Sequence, residues 1–523
     1  MEESLTISLY DPGMTSYHRV GLAGLYMSLK QLEHEGSELE DGSWVLDETS
    51  VTLKWQGEAR SFFEALLKSS FRVDKDGLVD FAAHRGCRIG DAERVLIHQS
   101  LLGTFLNHNK QNMIPGGTPM VSKTVQMEGK TPVFSYRPLE RSYAHAQAAK
   151  DLFSGTGKKM KDAIPVKKWL LPGATQRHTS FGNTSITESP SRYLCLVFAP
   201  MSCLYYRLSI RTKDGKWDNR RRTAVVIPTI ENLKGYSEAF ERYLVSPMED
   251  LVASGLADAG LSALISLKAE ESLEAIGVTG FSVITYGKVP WDKNQLPKTG
   301  FTEYEEIDDE TLDRFALAWK CLGNRKVFTK ETETEGAEII RAFAESNTAR
   351  GLFSENIAAG RPWYQGFSEL MVSKAMARKM TFEKEGLYEM VNEVEWDFEA
   401  EGKFVEAIHQ AMRARFGRLY AQAKARGELA PFDREYERMR TGLLRAKNAQ
   451  TLRAELTDFF SRGGFNTVLQ ESWRDILGVL SHSDWQKARD LALLGLASYK
   501  GKGAEEVEER QESQIVAGED EKL

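Results

Sequence analysis

Hydrophobic periodicity changes character once along this chain. Up to residue 310, short segments in which apolar and polar residues alternate, the period of a half-buried strand, recur between helix-patterned stretches. From there to residue 500 the pattern is helical and no strand is expected. A chain written this way folds as α+β: a mixed α/β N-terminal portion followed by an all-α C-terminal helical bundle. Its 523 residues exceed the ~250–300 at which single cores stop growing. Domains are therefore expected at 1–310 and 311–500, with an acidic, disordered tail at 501–523.

LTISLY turns Leu5, Ile7 and Leu9 inward as a first strand. After the turn DPGMTS, the helix YHRVGLAGLYMSLKQLE carries an apolar face, and its Gly21 and Gly24 are expected to allow close packing on that strand. Helices follow in ARSFFEALLKSS and from Asp91, read as an N-cap, through DAERVLIHQSLLGTFL. Strands are expected in PMVSKTVQM, TPVFSYRP, RYLCLVFAP, CLYYRLSIR, RRTAVVIPTI and FSVITYGKV. The C-terminal helices are expected to begin near residues 334–345 and to be joined by short breaks such as ARGELAPFD and SRGGFN.

Composition removes several classes. No apolar run approaches the ~18 residues of a membrane span, and no secretory leader is read in MEESLTISLY, so a cytoplasmic location is expected. Cys87, Cys195, Cys203 and Cys321 form no C-x-x-C pair and read as buried, reduced thiols. A net charge of −7 argues against indiscriminate coating of nucleic acid, although the acidic tail supplies much of it.

Enzyme motifs are missing. SGTGKKMK lacks the glycine at Leu152 and the hydroxyl at Lys159 that a phosphate loop needs, and neither G-x-S-x-G nor H-E-x-x-H occurs. Glu393, Glu395, Asp397, Glu399 and Glu401 read as a solvated face or a helix junction, not as paired acid and base. No metal, cofactor or catalytic residue is expected. Two rival readings stand beside a binding role: a nucleic-acid-processing enzyme with a dispersed acidic site, and a scaffold that binds only proteins.

Binding signals are better. GTGKKMKDAIPVKKWLLPGATQRH carries Lys158, Lys159, Lys161, Lys167, Lys168 and Arg177 around Trp169, with Asp162 its only acid. Such cations suit backbone phosphates, and the aromatic suits an unstacked base. A second basic block holds Arg413, Arg415, Arg418, Arg440, Arg445 and Lys447 on the C-terminal helices. Between them in interest is FLNHNKQNMIPGGTP, where Asn107, Asn109, Gln111 and Asn112 surround Lys110. Each amide offers a donor and an acceptor, the pair needed to grip a base edge. Asparagine is also a good helix C-cap, and Pro-Gly-Gly continues a turn.

YDPGMTSYHRVGLAGLYMSLK, LLGTFLNHNK and SENIAAGRPWYQGFSELM resemble the large subunit of a type I CRISPR surveillance complex (Cascade), in the Myxan-type, type I-B-like branch of the Cas-eight family. The resemblance implies a non-catalytic subunit that recognises the protospacer-adjacent motif in target duplex DNA, promotes strand separation and R-loop formation, and supports the guide RNA and the displaced strand. It implies as partners crRNA, target dsDNA, the backbone, crRNA-capping and small subunits, and a separate helicase-nuclease or transposition factor. Asn107, Asn109, Lys110, Gln111 and Asn112 would then read bases. Lys123 and the Lys158 to Arg177 cations would hold the duplex, Gln176 and His178 being candidates for the strand-separating wedge. The bundle cations would guide the displaced strand. In related systems the helical end is also made separately as a small subunit from an internal start, for which Met371, Met376 and Met380 are candidates.

Overall fold

The computed structural model describes residues 2–37, 39, 42–154, 159–170, 185–209, 222–268, 271–286, 300–332, 338–480 and 485–501. Lys158, Gln176, Arg177, His178 and the tail beyond residue 501 lie outside the described residues. The chain divides into two compact units, the first comprising Met1–Ile210, Asp218–Asp313 and Asn324–Ser346, the second Arg211–Trp217, Arg314–Gly323 and Asn347–Leu523. The first is mixed and the second helical, the expected α+β class.

In the first unit, β1 (Glu2–Ser8) pairs antiparallel with β3 (Ser50–Gln56), which also pairs with β2 (Gly42–Leu46). Ile7 and Leu9 are buried, as the alternation requires. Helix α1 (Ser16–His34) follows, but its glycines face another partner than the expected strand. A β-carbon on Gly21 would stand 1.8 Å from the carbonyl oxygen of Cys195, and one on Gly24 2.5 Å from that of Phe198. Both carbonyls belong to a helix, Pro190–Phe198, where the sequence suggested a strand. Ser189 caps that helix at the Arg192 N–H and Pro190 opens it, while YLCLVF is buried all round. A short, wholly buried apolar run carries no period by which to tell helix from strand.

Helix α2 (Asp91–Gly103), capped at Gly90 and not at Asp91, leads to the one-turn helix α3 (Asn109–Asn112) and then to the hairpin β4 (Val121–Thr124) and β5 (Val133–Tyr136). Phe134 and Tyr136 of the hairpin pack with Leu78, Ala92, Val95 and Met248, which fixes the hairpin to α2. The larger sheet of the unit has the order Val252–Ala253, Leu204–Leu208, Arg222–Ile230, Val278–Tyr286, Phe301–Tyr304, its first pair parallel and the others antiparallel.

The segment near 334–345, expected to be helical, is a strand. Glu338–Glu345 pairs antiparallel with Arg325–Thr332 through the whole length of both. Ile339 and Ile340 prefer the pleated surface, and the partner strand supplies the hydrogen bonds that a helix would otherwise make.

The second unit is built on the 28-residue helix α4 (Glu399–Arg426), with α5 (Phe432–Arg445), α6 (Ala449–Gly463) and α7 (Trp485–Ala497) around it. Gly495 lets α7 approach α4 at Ile408, and Gly463 does the same for α6 at Ala411. Trp363, Tyr364 and Phe367 are buried just ahead of this bundle, and the Asp490 carboxylate of α7 accepts hydrogen bonds from the Gly366 and Ser368 N–H groups at 2.7 and 3.0 Å. Among the described residues no helix is long and apolar enough to cross a membrane.

Candidate nucleic-acid interface

The polar run that follows α2 is a capped turn of helix. His108 is its N-cap: its Nδ1 accepts from the Lys110 N–H at 3.1 Å, while Gln111 Oε1 accepts from the His108 N–H at 3.3 Å. This reciprocal cap sets the phase of the turn and sorts the amides. Gln111 and Asn112 face inward: Gln111 Nε2 donates to the Lys168 carbonyl at 2.5 Å, Asn112 Nδ2 donates to the Leu106 carbonyl at 2.9 Å, and Asn112 Oδ1 accepts from the Ile114 N–H at 2.9 Å. Asn109 and Lys110 face solvent and Asn107 is half-buried. The residue that ends the helix is neither asparagine nor glycine but Met113, in the left-handed region at φ 55°, a conformation that costs an L-residue roughly 1–2 kcal/mol.

The Gln111–Lys168 bond joins this turn to the basic segment, so two stretches that the sequence separates share one surface. Lys159 and Lys167 are exposed there. Lys168 reaches Asp151 at 2.6 Å, and Lys161 donates to the Asp151 carbonyl at 3.0 Å. Lys150 joins them, exposed, its ammonium 3.0 Å from Gln147 Oε1, and Gln147 in turn reaches the Met113 sulfur at 3.6 Å. Lys150 was missed by the sequence reading because it stands alone in AHAQAAKDLF; only the tertiary path brings it to α3.

Trp169 does not offer a face to a base. It is 1% exposed and lies edge-on to His145 and Tyr193, its ring centroid 5.0 and 5.9 Å from theirs, which corrects the expected stacking role. It is a core residue. Burial, with the Lys168 charge nearby, pushes His145 down to about 3, so its imidazole stays neutral. Lys123 is held between Asp76 at 2.9 Å and Asp91 at 2.8 Å, which neutralises its ammonium within the chain and ties the β4 hairpin to the start of α2.

In the second unit the described cations also separate. Arg440 is buried, bound to Glu437 and to the carbonyls of Met371 and Val372, and Arg415 pairs with Glu435 at 2.9 Å. Arg413, Arg418, Arg445 and Lys447 are exposed. From residue 407 to 427 the sequence contains five cations and no acid, and Lys424 and Arg426 are exposed at the C-terminal end of α4, where the helix dipole favours positive charge. Tyr420 is 57% exposed on the same stretch, an aromatic that the sequence pattern did not single out.

The dispersed acids are held in ion pairs. Glu393 meets Lys320 at 2.8 Å, Asp397 meets Arg314 at 3.0 Å, Glu399 meets Lys403 at 2.9 Å, and Glu401 contacts Lys487. Among the described residues, no three or more His, Cys, Asp or Glu side chains are grouped to hold a metal ion.

The sequence matches the family described as DevT N-terminal domain over residues 6–197 and the one described as DevT C-terminal domain over residues 392–523. Between them the two matches take in more than half of the chain. The chain belongs to the DevT family. A curated relative from Myxococcus xanthus (strain DK1622), named CRISPR-associated protein Cas8a1/Csx13, is 29% identical to this DevT chain over 536 aligned positions, which cover 96% of this chain and 90% of the relative. The resemblance drawn from YDPGMTSYHRVGLAGLYMSLK and its companion motifs is met: this DevT chain is a CRISPR-associated large subunit of the Cas-eight kind.

Proposed function

We propose that this chain is the DNA-reading subunit of a type I surveillance complex, without catalysis of its own. It recognises a short flanking motif in duplex DNA and promotes strand separation, while base pairing with crRNA reads the remaining sequence. Its partners in this reading are crRNA, the other subunits of the complex and a separate nuclease that cuts. The observation that carries the proposal is the surface around α3, where exposed Asn109 and Lys110 stand beside Lys150, Lys159 and Lys167 on a frame fixed by Gln111 and Asn112. Exposed amide and ammonium groups on a braced turn suit base edges, and the surrounding lysines suit phosphates.

Asn109, Lys110 and the half-buried Asn107 are the base readers of this proposal; Gln111 and Asn112 hold them. Lys123 is left to the fold. On the second unit, Arg413, Arg418, Arg445 and Lys447, with Lys424 and Arg426, guide the displaced strand. The test is duplex binding measured across flanking sequences and salt concentrations. Asn109→Ala and Lys110→Ala are expected to lower discrimination between flanking motifs by about 1–3 kcal/mol, and Lys167→Ala to weaken all sequences alike and reduce the salt slope by about 1. Cleavage of the target by the isolated chain would overturn the non-catalytic reading.

A separate C-terminal product remains part of the proposal, with a constraint. Met371 and Met380 are fully buried, and a product starting at Met371 lacks Trp363, Tyr364 and Phe367, each of them within the core of the same unit.

A further inference from the structure

Between α3 and β4 the chain makes an exposed turn, Met113 to Met120, whose sequence is MIPGGTPM. Its base is braced. The Pro115 carbonyl accepts from the Thr118 N–H at 3.4 Å, from Thr118 Oγ1 at 3.0 Å and from Arg137 Nη2 at 3.1 Å. Ile114 is buried, and the β4 hairpin that follows is packed into the core beside α2. Its tip is open: a β-carbon on Gly116 or Gly117 would meet nothing within 4 Å.

Two large apolar side chains stand out from this braced turn, Met113 at 45% and Met120 at 59% exposure. Met113 keeps its side chain in a left-handed backbone that glycine or asparagine would adopt with less strain. It fills no core, and it stands directly after the exposed Asn109 and Lys110. Unbranched, flexible apolar side chains beside a cationic surface are the kind that slide between stacked base pairs and unstack them.

We infer that the Met113–Met120 turn is the strand-separating wedge, Met113 and Met120 entering the base stack at the first pair beside the motif that α3 reads. The inference rests on the DNA-reading function proposed above. The lysines around α3 hold the phosphates, and the rigid base of the turn lets insertion push on the duplex without the turn folding back. Gly116 and Gly117 leave the tip narrow enough for its backbone to approach the opened pair.

The experiment uses the full chain assembled in its guide-RNA complex, with a fluorescent base analogue at the first target pair. Two targets are compared, one fully paired and one already opened there by a mismatch. The Met113→Ala, Met120→Ala double variant is expected to open the paired target roughly tenfold more slowly and to act on the pre-opened target as the unaltered complex does. Met113→Leu, which keeps the apolar bulk, is expected to retain most of the opening rate. Equal loss on both targets, or no loss on the paired one, overturns the wedge. So does Met113→Gly with Met120 intact opening the paired target at the unaltered rate, because the Met113 side chain would then be dispensable. If the unaltered complex shows no motif-dependent binding to either target, the DNA-reading function itself fails, which is a different result from any of the variant outcomes.

Discussion

Gln111→Ala separates the frame of the interface from its reading groups. In the structure the Gln111 side chain is buried and makes two bonds, one donated to the Lys168 carbonyl at 2.5 Å and one accepted from the His108 N–H at 3.3 Å. Truncation leaves the Lys168 carbonyl without its partner in a covered position, which costs about 1–3 kcal/mol. The His108 N–H lies at an exposed residue, so losing the second bond adds little, and a total of about 2 kcal/mol is expected. For a domain of this size each kcal/mol lowers Tm by roughly 2–4 °C, so a fall of roughly 4–8 °C should be seen in thermal unfolding followed by Trp169 fluorescence. Duplex affinity should fall on every flanking sequence alike, since the Lys167–Lys168 segment loses its tie to α3. Lys110→Ala should do the reverse, leaving Tm within about 0.5 kcal/mol of the original, as exposed substitutions do, while discrimination falls. If Gln111→Ala leaves Tm unchanged and abolishes discrimination alone, Gln111 is a base reader and the division of the amides is wrong.

Gly21→Ala should cost upward of about 3 kcal/mol, because the new methyl would stand 1.8 Å from the Cys195 carbonyl of a neighbouring helix; soluble yield and denaturant midpoint measure it. Burial holds His145 near 3 and His84 near 4, whereas both titrate near 6.5 once unfolded. The unfolded chain therefore takes up these protons first, so the stability they contribute is whole above pH 6.5 and is lost as pH falls toward their folded values. His145→Phe should flatten the decline in Tm between pH 6.5 and 4. A C-terminal product beginning at Met371 should unfold at lower denaturant than one beginning at Asn347, for want of the buried Trp363, Tyr364 and Phe367; equal midpoints would show that these residues do not hold the unit together.

Period alone was enough for the first strand and helix, the β4–β5 hairpin and most of the C-terminal helices, because their apolar faces recur at 2.0 or 3.6 residues. It failed at Tyr193–Phe198, where every side chain is buried and no face can be distinguished. It failed again at Glu338–Glu345, where pairing with Arg325–Thr332 decides the conformation. The interface was legible as composition but not as geometry. Four amides around one lysine signalled a site, yet which of them face solvent depends on His108 acting as a cap, and caps are set by local hydrogen bonds that composition does not encode. Trp169 shows the same limit from the other side: its lysine-rich neighbours suggested exposure, while the fold seats it between His145 and Tyr193.

Salt-dependent binding to duplexes that differ only in the flanking motif, measured for the assembled complex with native chain and with Lys110→Ala, tests the central claim most directly. The account predicts that affinity depends on the motif, falls steeply with salt, and loses most of its motif dependence in the variant while keeping the greater part of its salt slope. Binding that is indifferent to the motif in the native complex, or motif dependence that survives Lys110→Ala together with Asn109→Ala, would contradict it.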